Sequence, residues 1–121
     1  MGMLASTVEH HELRACQSSL MEIDEQQALS LLFDMRENAI KVLAQQGYEE
    51  PDITFSQEID LRLQGQDSAL SIALVMPLDR AALRNAFIAA YRDVYGYAPV
   101  DAVEAVQLRV LARGRSSHMI D

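Results

Sequence analysis

An alternation with a period of two, running from residue 53 to residue 64, constrains the fold more than any other feature. Ile53, Phe55, Ile59, Leu61 and Leu63 share one parity, while Thr54, Ser56, Glu58, Asp60, Arg62 and Gln64 share the other. Successive side chains of a strand point to opposite faces, so this segment needs one buried face and one wet face. Only Gln57 interrupts the apolar row. After "QGQDS" the pattern resumes over 69–76, with Leu70, Ile72, Leu74 and Met76 on one side and Ala69, Ser71 and Ala73 on the other. Two such runs around a short loop read as an antiparallel hairpin, with Gly65 supplying the positive φ of the corner.

A sheet with one apolar face needs a cover, and two segments can provide it. Between Asp24 and Gly47, the residues Leu29, Leu32, Phe33, Met35, Arg36, Ile40 and Leu43 recur at helical spacing. Asp24 is placed to cap this helix, with Gln27 completing a capping box, and Gly47 fits the left-handed position that ends it. Pro77 closes the second strand, and Asp79 can cap a second helix over 80–95. Leu83, Phe87, Ala90, Tyr91 and Val94 form the expected buried stripe of that helix, and Leu78 stands at the staple position to Leu83. A last strand is expected over 103–112, with Val106, Leu108 and Val110 inward. Val103 and Ala105 fall on the opposite parity, which predicts a bulge near Ala105. Residues 5–20 lack a clean period and read as an extended segment at the sheet edge, with a short helix as the alternative. The expected fold is α+β: an antiparallel three- to four-stranded sheet covered on one face by two helices. It forms a single domain over 1–113 followed by a flexible tail over 114–121.

Composition narrows the function. The chain has 121 residues, half of them hydrophobic, and a formal net charge of −8. Lys41 is the only lysine and the nine arginines are scattered, which argues against nucleic acid, since phosphate binding needs clustered cations. An anionic membrane would repel the same surface, and no apolar run approaches the roughly 20 residues that span a bilayer. A single cysteine, Cys16, cannot form an internal disulfide, so cytoplasmic residence is the default expectation.

Candidates for chemistry are few. His10-His11-Glu12 is the most metal-like cluster, but neighbours on a strand face opposite ways and no second cluster follows at ligand spacing. Cys16 has only Arg14 nearby to activate it, and reads as an inert thiol. Asp60 and Arg62 share the polar face of one strand, and Glu104 and Arg109 lie on another. Cross-strand pairing explains these charges, and a small catalytic site built on Asp60, Arg62 and Arg109 is the competing reading. The glycines form neither GxGxxG nor a Walker loop. Tyr91, Tyr95 and Tyr97 surround Gly96, where ring packing at a helix end accounts for them.

Taken in order, several stretches resemble the C-terminal domain of the hydantoinase A / 5-oxoprolinase family, which includes acetone carboxylase. "GML" at 2–4 opens the match, and "VEHHELR" at 8–14 resembles the family's Val-x-His-acid-x-apolar-Arg. A helix with "LLFDM" then ends at "QQGY", and "DLRLQGQ" at 60–66 resembles Asp-Leu-Arg-aromatic-x-Gly-Gln. Phe87, "YGY" at 95–97 and "VEAVQLRVLA" at 103–112 resemble the closing segments. Leu63 stands where the family favours Tyr, Asp67-Ser68-Ala69-Leu70 replaces Ser-Tyr-Glu-Leu, and Ala105 and Gln107 replace Ile and Asn. The resemblance implies ATP-dependent enzymes acting on a cyclic amide or a ketone, with the ATP and divalent-metal sites upstream and none in this domain. On that basis the expected role is non-catalytic docking onto upstream domains or a partner subunit, through Asp60, Arg62, Gln66, Tyr95, Tyr97, Glu104 and Arg109. A homodimer is expected for the isolated chain. The alternative is a free-standing dimeric α+β binding module.

Overall fold

The computed structural model describes residues 7–115. They form a four-stranded antiparallel sheet with two helices on one face, an α+β fold. The strands are β1 (Thr7–Ser19), β2 (Ile53–Leu63), β3 (Leu70–Ala73) and β4 (Val103–Arg115), in the spatial order β1-β4-β2-β3. The helices are α1 (Glu25–Ala44), between β1 and β2, and α2 (Arg80–Tyr95), between β3 and β4. No helix among the described residues is long and apolar enough to cross a membrane.

The alternation in β2 has the predicted consequence. Ile59, Leu61 and Leu63 are buried beneath the helices, and Asp60 and Arg62 lie on the opposite, helix-free face. The expected bulge is also present. Asp60 pairs with Gln107 but Leu61 pairs with Ala105, so Val106 is the extra residue of β4. It resets the parity: Val103 and Ala105 are buried before it, and Leu108, Val110 and Ala112 after it. Val106 itself is therefore only half-buried, which corrects its expected place among the inward residues. The segment expected to be extended is β1, paired to β4 along its length with a shift between Ala15 and Ser18.

Both helices start where their caps predict. The Asp24 carboxylate accepts from the backbone N–H groups of Gln26 and Gln27 at 2.9 and 3.3 Å, and Asp79 accepts from Ala82 at 3.0 Å. Gly96 ends α2 at φ 87°. The two helix starts are tied together. Glu25 accepts from the Leu78 N–H at 2.7 Å, and the Arg80 guanidinium donates to the Ile23 carbonyl.

The helices differ from expectation at Phe33 and Val94, and β4 runs further than expected. α1 buries Ala28, Leu32, Met35, Ala39 and Leu43, while Phe33 is exposed. Small alanines let the helix approach the sheet closely, and Phe33, about 100° around the helix from Leu32, is turned away. Val94 is exposed because α2 packs on β3 and the turn at 20–22 through Leu83, Phe87 and Tyr91, with Ile88 and Ala90 partly buried beside them. Residues 114 and 115, expected in the tail, continue β4. Gly114 faces the core, where an added Cβ would come within 2.8 Å of the Tyr48 ring, so Tyr48 packs directly on the strand backbone. The rest of the expected tail lies outside the described residues.

Candidate functional site

The antiparallel register brings four of the expected site residues together in two ion pairs on the helix-free face of the sheet. Asp60 sits opposite Ser71 on β3 and Gln107 on β4. Its carboxylate accepts from the Ser71 hydroxyl at 2.6 Å, from the Gln107 amide at 2.7 Å, and from Arg109 Nε at 2.8 and 2.9 Å. The side chain is only 5% exposed although no helix covers it, because its own partners close over it. Beside it, Arg62 Nε donates to Glu104 at 2.6 Å. Burial pushes the Asp60 pKa up, but the three donors outweigh it and hold the carboxyl below its ordinary value. All the strong donors around Asp60 are thus engaged in binding its ionised form. This suits a structural carboxylate better than a base awaiting a proton.

The remaining expected residues lie elsewhere, at the far end of α2. Gly96 turns the chain so that Tyr97 folds back on Tyr91, edge to face at 5.5 Å, with the two hydroxyls 3.1 Å apart. The Tyr95 ring packs tilted against Tyr91, with centroids 4.4 Å apart. Gln66, from the β2–β3 loop, reaches the Tyr91 hydroxyl, whose pKa is raised first by the bond to Tyr97 and then by burial. Tyr91 is buried, whereas Tyr95 and Tyr97 are 44% and 56% exposed beside the exposed Val94 and Val100. The seven residues therefore fall into a charged sheet face and an aromatic corner.

The His10-His11-Glu12 stretch divides as strand geometry requires. His10 and Glu12 point under α1, and His11 points to the open face near Glu9, 3.8 Å away. Glu12 is buried and bonded to His10 Nε2 at 2.5 Å, Asn38 Nδ2 of α1 at 2.6 Å and Arg14 Nη1 at 2.9 Å. Burial raises its pKa, but the bonds from His10, Asn38 and Arg14 bring it below the ordinary glutamate value. Among the described residues no group of three His, Cys, Asp or Glu side chains is placed to hold a metal ion. Cys16 lines a cavity of about 260 Å³ with Gln27, Leu31 and Leu108, and burial raises its thiol pKa. Sequence reasoning missed the roles of Ser71, Gln107 and Asn38. Each is visible only once strand register or helix packing is known.

These two carboxylates make acid stability testable. Both have folded-state pKa values below their unfolded ones, so their contribution is complete above the unfolded values and is lost as pH falls through the folded ones. Unfolding free energy from urea titration is expected to fall on going from about pH 6 to about pH 3.5. The fall should be shallower in Glu12→Gln and in Asp60→Asn. An unchanged slope in both variants would mean that other groups control acid unfolding.

A four-stranded antiparallel sheet with two helices on one face defines a small α+β domain. No family model matches the chain. An uncharacterized protein of Schizosaccharomyces pombe is 28% identical over 124 aligned positions, covering 99% of this chain and 10% of the relative. ATP-dependent caprolactamase from Pseudomonas jessenii shares the fold at a TM-score of 0.78 with 23% identity, over 90% of this chain and 17% of the enzyme chain. An acetone carboxylase nucleotide-free structure does so at 0.72 with 17% identity, over 91% of this chain and 18% of its own. The chain thus spans about a tenth of its curated relative and less than a fifth of each structural one.

Proposed function

We propose that this chain is a non-catalytic structural and docking domain of an ATP-dependent enzyme of the hydantoinase/5-oxoprolinase type, whose other parts hydrolyse a cyclic amide. The carrying observation is that 90% of the chain has the fold of a 17% portion of ATP-dependent caprolactamase. A lactam is a cyclic amide, the bond type that the sequence resemblance implies. The closed ion pairs on the sheet face support a structural rather than catalytic use of Asp60, Arg62, Glu104 and Arg109. In this reading ATP and a divalent metal bind other parts of the enzyme, in the cytoplasm. The described residues of this domain offer neither a phosphate loop nor a three-ligand cluster. Upstream domains or a partner subunit would engage the sheet face and the corner formed by Gln66, Tyr95 and Tyr97. Half-exposed aromatics fixed by a buried neighbour lose little freedom on binding, which suits an interface anchor.

The test is direct. Calorimetry with Mg-ATP should show no saturable binding by the isolated chain, and neither 5-oxoproline nor a hydantoin should be turned over. Micromolar nucleotide affinity would overturn the reading. The second reading, a free-standing dimeric binding module, is favoured by the open edge of β1. A stop codon directly before Met1 in the genomic reading frame would decide for it.

A further inference from the structure

The sheet has two edges, one short and one long. β3 offers four residues and is followed by Pro77, a short edge of the kind that resists pairing. β1 is 13 residues long and contains no proline, glycine or lysine. One side of it pairs with β4, and among the described residues nothing pairs with the other. Its ladder runs without a shift from Thr7 to Ala15 and is broken only between Ala15 and Ser18. Nine regular residues thus present unpaired backbone donors and acceptors along an edge.

We propose that a second copy of this chain pairs with this edge, β1 against β1 and antiparallel, about a two-fold axis at His11. A two-fold dimer with a continuous sheet must set helix side against helix side, which allows only registers centred on a residue. His11 is the midpoint of the regular segment, so this register alone uses all nine residues. It sets His10 of each copy opposite Glu12 of the other, Val8 opposite Arg14, Glu9 opposite Leu13, and His11 opposite itself. A register centred on Glu12 brings two buried carboxylates together and shortens the ladder. One centred on His10 sets Glu12 against Val8 and shortens it equally. Glu12 therefore acts as a selector: a buried carboxylate near an edge rejects a strand that brings an acid or an apolar side chain, and accepts one that brings a donor.

The symmetric ladder adds about eight to ten main-chain hydrogen bonds and builds one eight-stranded sheet. Net charge opposes association only weakly here. The nine residues carry two carboxylates, one arginine and two imidazoles, so most of the −8 lies elsewhere and is screened beyond about 8–10 Å at physiological salt. Leu13, 45% exposed on the open face, gains cover in the pair. This pairing stands independently of any role in a larger enzyme, since it involves neither the aromatic corner nor the Asp60 ion pair.

Sedimentation equilibrium of the 121-residue chain should show a mass rising with concentration towards twice 13.5 kDa. His11→Lys should raise the dissociation constant at least about tenfold, because lysine on an edge strand blocks pairing and here faces its own copy. His11 is 62% exposed, so the variant should keep the wild-type circular dichroism. With Cys16 replaced by alanine, His11→Cys should crosslink to itself on mild oxidation and Glu9→Cys should not, because only position 11 meets its own symmetry mate. A monomer up to about 100 µM, above the dissociation constants of ordinary specific pairs, would overturn the proposal. So would a dimer indifferent to His11→Lys, or equal crosslinking at positions 9 and 11.

Discussion

Asp60→Ala is expected to lower the unfolding free energy by about 3 kcal/mol, far more than its place on a helix-free sheet face suggests. The carboxylate is 5% exposed and accepts four hydrogen bonds from three side chains on two neighbouring strands. Removing it deprives Gln107 and Ser71 of their shared acceptor and leaves the Arg109 guanidinium without its counter-charge. Arg109 is 40% exposed and can recover some hydration, so the loss should fall at the low end of that for a broken buried pair. Glu104→Ala provides the contrast. The Arg62–Glu104 pair is of similar length, but both side chains are about one-fifth exposed and no third partner is shared. It should cost about 1 kcal/mol or less. Urea unfolding of both variants near neutral pH reads the difference directly, and equal losses would show that Asp60 is no more than another surface ion pair.

The alternation of β2, the caps at Asp24 and Asp79 and the parity break in β4 were legible because each is a local property of the backbone period. The alternation even placed Asp60 and Arg62 on the right face. It could not say that Asp60 would be enclosed, because that depends on which residues stand opposite, and Ser71 and Gln107 carry no signal of their own. Phe33 and Val94 misled for a related reason. Helical spacing identifies a stripe of large apolar residues, yet the buried face of α1 joins Leu32, Met35 and Leu43 with Ala28 and Ala39, whose small size is invisible to such a count. Glu12 belongs to the metal-like stretch His10-His11-Glu12, which strand geometry divides between two faces. Of its three partners, Asn38 lies 26 residues away on a helix that has to dock before the two can meet.

Phe87→Ala is expected to have the largest effect of all, about 4 kcal/mol, and to act chiefly on one layer of the fold. Phe87 is 1% exposed and packs between the sheet and Tyr91, whose ring centroid is 5.7 Å away. α2 rests on β3 and the turn at 20–22, whereas α1 rests on the longer strands β1 and β4. Leu83 and Tyr91 are the other buried side chains of α2, with Ile88 and Ala90 partly buried beside them, so Phe87 is the largest fully buried anchor of this helix. The aromatic corner should loosen with it, because Tyr95 and Tyr97 both rest on Tyr91. The chain has no tryptophan, and three of its four tyrosines belong to this cluster, so with Tyr48→Phe as the background near-ultraviolet circular dichroism reports chiefly the corner. That signal should fall while far-ultraviolet helicity and the protection of β1 and β4 amides largely persist. If α2 and the rest of the sheet instead melt together in one transition with an unchanged m-value, the domain is a single cooperative unit. In that case the tyrosine corner has no independent rigidity to bring to a partner.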